Sequence, residues 1–254
     1  MSQINNPPSK MAFHLLGQVR FGDFLQLQQH LLAQYAEGVD RITVLLCEHP
    51  SVLTVGRKGS YAHMRLTQLE SEKSGLETHW LPRGGGCILH TAGQLAVYPL
   101  IPAYEYDLSV GQVLGKIRDS VSQALRQLGI RPLCYQGIYS VWGRTGMLAA
   151  TGMSIRRGVS CFGSYINVNP DMRRYGYVDT AWKLPTDQTR RTMSCLMAEN
   201  RKSAKMSKLR SAVVQSLAGE FDCDDYHLHT GHPYLAELCV KLQQKTARGN
   251  TKRV

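Results

Sequence analysis

Apolar residues recur at helical spacing over a few long stretches of the chain and run together over shorter ones, and this change of period lays out its elements. From Phe21 to Gly38, Leu25, Leu27, Leu31, Leu32 and Tyr35 build a largely apolar helical face, and Gly38 supplies a stop. Arg41 to Cys47, rich in Ile, Val and Leu, predicts a strand. Ser109 is placed to cap a second helix, in which Val110, Val113, Leu114, Ile117, Val121, Leu125 and Leu128 repeat at helical intervals before Gly129. Between these helices, Ser51 to Gly56 and Cys87 to Ile101 are strand-like. Ile138 to Trp142, Met147 to Ile155 and Ser160 to Val168 are further short strands set apart by Gly143, Gly146 and Gly158. Thr192 to Leu217 is helical in character, and Tyr234 to Gln244 forms a last helix behind the Gly231-His232-Pro233 break. Strands gathered in the middle with helices around them predict an α+β fold rather than a regular βαβ alternation.

Composition narrows this picture. A chain of 254 residues, 43% hydrophobic, can bury one large core, so residues 1–245 are expected to form a single domain and the polar, basic stretch 246–254 a flexible tail. No run approaches the roughly eighteen apolar residues of a membrane helix. The start Met1-Ser2-Gln3-Ile4-Asn5 lacks the basic-then-apolar order of a secretory signal, so the expected location is cytoplasmic, away from the membrane. Seven cysteines without a CxxC pair or a Cys/His cluster argue for reduced thiols and against a metal site. The net charge of +11 favours acidic partners. Much of it comes as Arg156-Arg157, Arg173-Arg174, Arg190-Arg191, Arg201-Lys202, Lys205, Lys208 and Arg210. No helix-turn-helix, zinc finger or aromatic-plus-basic signature accompanies it, so nucleic acid is not the expected partner.

The most informative string is Arg83-Gly84-Gly85-Gly86-Cys87-Ile88-Leu89-His90, continuing through Gly93-Gln94 to Tyr98-Pro99. Three glycines beside an arginine let the backbone approach a ligand and present its amides, with the arginine as a fixed cation. The whole string, with its spacing, resembles the arginine-glycine-glycine, histidine, glycine-glutamine, tyrosine-proline signature of the lipoyl(octanoyl) transferases. Glu48-His49-Pro50 leading to Thr54-Val55-Gly56-Arg57 is similar to the same family's upstream segment, and Ala149 to Val159 and Gly163 to Asn169 to its two remaining pocket strands. The resemblance runs in order from about Glu48 to Glu199. It implies a mixed sheet flanked by helices, as in the lipoate and biotin protein ligases. It further implies octanoyl transfer from an acidic acyl carrier protein, with no cofactor. The acceptor would be a lysine on lipoyl domains of 2-oxoacid dehydrogenases or on the glycine cleavage H protein. By position, the substrate-binding residues are Arg83, Gly84, Gly85, Gly86, Cys87, Ile88, Leu89 and His90, then Ala150, Thr151 and Gly152, then Gly163, Ser164 and Tyr165. An eight-carbon chain needs an apolar slot and its carbonyl a few donors, which such a set supplies.

The chain departs from that pattern at the chemistry. Ala181 stands where the family has its nucleophilic cysteine, Met147 where it has a lysine, and Phe162 where a histidine is common; Lys183 is the nearest cation to the first position. A methyl group forms no thioester. Cys195, where a helix is predicted to begin, is a candidate replacement because a helix N-terminus favours a thiolate; a packed thiol is the bland alternative. Cys161 borders a pocket strand, and Cys87 should alternate away from His90. His90 could act as base or as orienting donor, or be a histidine satisfied at a polar strand junction, and His49 could simply shape the turn before Pro50. The sequence thus supports two readings: an octanoyltransferase working through a displaced thiol or direct aminolysis, and a non-catalytic acyl- or lipoyl-domain-binding paralogue.

Overall fold

In the computed structural model, residues 10–65, 75–179, 193–201 and 204–250 are described, 242–250 by backbone alone. The chain runs β1 (Met11–Gln18), α1 (Phe21–Ala36), β2 (Ile42–Glu48), β3 (Val52–Val55), β4 (Glu77–Trp80), β5 (Cys87–His90), β6 (Gln94–Leu100) and α2 (Val110–Gln127). It continues through β7 (Val141–Trp142), β8 (Met147–Arg156), β9 (Val159–Asn167), α3 (Leu196–Glu199), α4 (Met206–Glu220), β10 (Tyr226–Thr230) and α5 (Pro233–Asn250). Seven strands form a mixed sheet in the order β10-β1-β2-β6-β9-β8-β7, and β4-β3-β5 form a smaller one. The first three strands of the large sheet are parallel and the rest antiparallel.

Burial explains the layering. β2 and β6 are apolar almost throughout and buried on both faces, which places them centrally. Leu95, Val97 and Ile166 turn toward α2 and α4, where Val113, Ile117, Val121, Leu209 and Val213 complete one core. Ala96, Tyr98, Leu100 and Tyr165 turn the other way, onto Phe24, Leu27 and Leu31 of α1. The small sheet sits on this second side, with Val52 and Ile88 facing that core and Leu53, Val55, Cys87 and Leu89 packing on Tyr175 and Val178.

The helical periods place α1 and α2 as expected. Ser109 accepts from the Gln112 amide at 3.3 Å while the Gln112 side chain takes the Ser109 amide at 2.8 Å, a reciprocal cap. Gly93, at φ +87°, divides the Cys87–Ile101 run into β5 and β6. Ile138–Trp142 shortens to Val141–Trp142, because the Ile138 amide closes a turn onto Tyr135. Thr192, Lys202 and Ser203 lie outside the described residues, and the described part of that stretch carries α3 and α4. α5 continues to Asn250 instead of ending at Gln244. β1, β4 and β10 carry no clear alternation: β1 begins with four buried residues in a row and β10 reads Tyr-His-Leu-His-Thr, so only pairing with neighbours defines them.

Candidate functional site

The Arg83–Gly86 loop joins β4 to β5 and lies on β8. Arg83 is fully buried, and its guanidinium donates to the Thr54 carbonyl (2.9 Å), Thr54 Oγ1 (2.7 Å), Gly84 O (3.0 Å) and Gly86 O (3.1 Å). The expected ligand-facing cation is thus a clamp for its own loop, with its donors turned to main-chain oxygens. The Gly84 amide donates to Met153 O at 2.9 Å, and a Cβ on Gly152 would meet Gly84 O at 2.6 Å, so only glycine lets the loop lie this close to β8. Gly163 is tighter still. Its Cβ would stand 2.1 Å from Val97 O across the β6–β9 pair.

His90 is fully buried and both ring nitrogens are committed. The two protons of the Gln94 amide NH2 are shared among Leu89 O (3.1 Å), Asn167 Oδ1 (2.9 Å) and the Tyr175 hydroxyl (2.9 Å), so its Oε1 accepts from His90 Nδ1–H at 2.9 Å. The lone pair on His90 Nε2 then accepts from the Thr54 hydroxyl at 2.9 Å, which itself accepts from Arg83. Burial, reinforced by His49 and Arg83, holds this imidazole well below the ordinary histidine range. Of the roles open to His90, the geometry selects the satisfied, orienting histidine. His49 is alike: Nδ1–H donates to Val19 O (2.7 Å), Nε2 accepts from the Tyr98 hydroxyl (2.8 Å), and burial pushes it down to about 4. The Phe21 ring stacks on His90 at 5.6 Å and the edge of Tyr165 meets it at 4.6 Å. The Tyr165 hydroxyl, buried beside that of Tyr98, completes no hydrogen bond of normal geometry.

Strand alternation sorts the remaining residues. Ala150, Gly152 and Tyr165 face the glycine loop and α1, whereas Thr151 and Ser164 bond to each other at 3.1 Å on the opposite side, where only their main chain could serve a ligand. On β5, His90 and Ile88 point to the interior under α1, and Cys87 and Leu89 point away from it, as expected of Cys87. Cys161 is buried in the α1 core. Phe162, at φ +66°, packs against Phe24, and its amide donates to Gln28 Oε1 at 3.1 Å.

The chemistry positions are partly in view. Met147 is fully buried, and its carbonyl accepts the Ser194 amide at 2.8 Å, so the 193–195 segment runs beside the start of β8. Asn167 Nδ2 donates to Ser194 O at 2.9 Å, tying this segment to the Gln94–Tyr175 network. Cys195 follows, buried, with the Tyr175 phenol in its electrostatic reach. The helix behind it has four residues, too few for the dipole expected to favour a thiolate at Cys195. Ala181 and Lys183 lie outside the described residues. Thr54, Gln94, Asn167 and Tyr175, which bind the site together, were given no role from sequence; their signal is polarity inside apolar strands. Among the described residues, no group of three His, Cys, Asp or Glu side chains is arranged to hold a metal, and no helix is long and apolar enough to cross a membrane.

The site is thus a glycine loop held between β3 of the small sheet and β8 of the large one. Residues 22–218 match the lipoyl protein ligase A/B catalytic domain, and the chain belongs to that family. It is 28% identical over 215 residues to an octanoyltransferase of Chloroflexus aggregans, covering 84% of this chain and 95% of that one. It is also 28% identical over 204 residues to an octanoyltransferase of Desulfotalea psychrophila, covering 78% and 89%. Among solved structures, a bi-partite lipoate protein ligase from Thermoplasma acidophilum superposes with a TM-score of 0.70 at 14% identity, covering 93% of each chain, a likeness of fold.

Proposed function

We propose that this protein is an octanoyltransferase of lipoate biosynthesis acting in the cytoplasm. It takes an octanoyl group from the thioester of an acidic acyl carrier protein and delivers it to the lysine ε-amine of a lipoyl domain. The acyl C–S bond breaks, an amide C–N bond forms, and the carrier thiol leaves with the proton lost by the amine. The observation that carries this reading is a family match spanning the glycine loop and both pocket strands, together with similarity to octanoyltransferases along nearly their whole length. The segments Arg83–His90, Ala150–Gly152 and Gly163–Tyr165 frame the acyl group, chiefly through main chain, and Arg83 and His90 hold that frame in shape. With alanine at 181 and a buried methionine at 147, two routes serve the transfer: direct attack by the lysine amine, or relay through Cys195, which the Met147–Ser194 contact sets beside β8.

The test is to mix the protein with octanoyl carrier protein and a lipoyl domain and follow both by intact mass, for wild type and Cys195→Ala. Octanoyl-lysine formed by both, with no adduct on the enzyme, supports direct aminolysis. An adduct and turnover lost together in the variant support the Cys195 relay. Octanoyl binding without turnover in either would overturn transferase activity in favour of a non-catalytic acyl-binding protein.

A further inference from the structure

Five of the nine histidines, His14, His30, His227, His229 and His232, gather at the β10 edge of the large sheet, far in sequence from the glycine loop. β1 and β10 are parallel neighbours, and their register sets His14 opposite His229, with the rings stacked at 4.8 Å. His232, ahead of α5, comes within 4.8 Å of His14 and 6.4 Å of His30 on α1. These rings, with Arg41, line a cavity of about 410 Å³.

We infer that this cavity is a binding site for a small phosphate monoester, gripped by Arg41 and the imidazoles of His14, His229 and His232. Hydrogen bonds fix what each ring offers. His232 Nδ1 accepts the Tyr234 amide at 3.2 Å, so its proton sits on Nε2 as a donor. His14 Nδ1–H donates to Gly231 O at 3.1 Å, which leaves Nε2 as a bare lone pair until a proton arrives. Arg41 forms no ion pair among the described residues and adds a planar fork suited to phosphate oxygens. The start of α5 borders the same space, so its first turn adds positive potential. Glu237, on the wall, is suited to a hydroxyl of the attached group. A metal fits less well: His232 has spent one lone pair on the backbone, His30 Nε2 is engaged by the Gln34 amide at 3.3 Å, and the stacked pair does not converge.

His14 and His232 resist protonation. Burial first, then the neighbouring His229 and Arg41, hold His14 down, while burial followed by His14, His30, His229 and Arg41 brings His232 to about 4. A dianion reverses that balance, so it draws a proton onto the cluster and binds more tightly as pH falls. The groups facing one another here are His14 on β1, His30 on α1, Arg41, His229 on β10, and His232, Tyr234 and Glu237 at α5.

The test uses the intact chain, with imidazole proton shifts read by NMR against chloride of equal ionic strength. Ribose 5-phosphate and orthophosphate are titrated at constant pH, and sulfate, whose charge is constant, from pH 8 to 6. The expected result is saturable shifts at the edge histidines but not at His63, which lies in the turn Tyr61–His63 and does not line this cavity, with sulfate affinity rising by up to about tenfold per pH unit. Arg41→Gln should remove them while far-ultraviolet circular dichroism stays unchanged. Tighter binding of ribose 5-phosphate than of orthophosphate assigns the site to monoesters; equal binding assigns it to free phosphate and overturns the monoester. Shifts no larger than those in chloride, retention of binding in Arg41→Gln, or stoichiometric Zn2+ binding lost in His14→Asn without any anion response would each overturn the proposal.

Discussion

Two groups of histidines occupy opposite situations in this molecule. His49 and His90 lie sealed in the interior with each ring nitrogen bonded to a partner of fixed role. His14, His229 and His232 stand at the sheet edge, around a cavity, with one another as principal neighbours. Burial lowers the basicity of His49, His90, His14 and His232 alike, so a depressed pKa does not distinguish the groups. What separates them is the second nitrogen: committed inside, available at the edge. The interior set therefore builds a frame, and the edge set is where a ligand can change the charge.

The largest break of this contrast comes from the clamp that the interior set leans on. Arg83→Leu strips the donors from Thr54 O, Gly84 O and Gly86 O and leaves the Thr54 hydroxyl half-satisfied. The expected loss is about 4 kcal/mol in urea unfolding, with octanoyl transfer abolished. A loss under about 1 kcal/mol would mean that the loop keeps its curl without the guanidinium.

Glycines repeat the contrast at smaller scale. Gly163→Ala drives a methyl into Val97 O and is expected to cost about 3 kcal/mol, since neither strand can retreat without breaking the ladder. Gly231→Ala, at φ +76° beside the edge histidines, meets no atom within 4 Å and should cost only about 1 kcal/mol, the conformational penalty alone. Equal Tm shifts for the two would erase the distinction between close approach and backbone strain.

Much of the interior frame was legible before any coordinates. The long helices announce themselves through period and caps, and the glycine loop, β8 and β9 through a family resemblance that keeps their spacing. Side-chain direction was not legible. Thr151 and Ser164 sit in the matching strings, yet alternation turns them under α2, and Arg83 looks like a ligand-facing cation until its carbonyl partners are seen. Long-range pairing hid the edge. β10 has neither apolar alternation nor β-branched residues apart from its final Thr230, and its histidines become a cluster only when β1 supplies His14 alongside. Chemistry was legible chiefly as substitution, at Met147, Phe162 and Ala181.

Acidification gives a third effect. A histidine whose folded pKa lies below its unfolded value near 6.5 stabilises the fold above that value, and the contribution drains away as pH falls toward the folded pKa. For His49, at about 4, the window is pH 6.5 to 4. Unfolding free energy should drop by roughly 2 kcal/mol between pH 8 and pH 5 from this residue alone. His49→Gln is expected to be less stable at pH 8 but to show a flatter pH dependence. An unchanged slope would place the acid sensitivity elsewhere.

The smallest effect separates the edge from the interior most sharply. His229 stacks on His14, and its positive form opposes protonation of both His14 and His232. At pH 8 burial keeps His14 and His232 neutral, so His229→Asn loses only a partly exposed stack, about 0.5 kcal/mol. As pH falls, the variant escapes the repulsion that wild type accumulates. Its deficit should therefore shrink toward zero by pH 5, discounted for screening in this half-open cavity. An interior substitution such as His49→Gln starts from a far larger deficit at pH 8, because removing a fully bonded ring costs its hydrogen bonds. Urea unfolding of His229→Asn at pH 8 and pH 5 reads the difference directly. A deficit that instead grows on acidification would mean that the fold favours the protonated His229 ring, with the edge cluster carrying no stored repulsion for an anion to relieve.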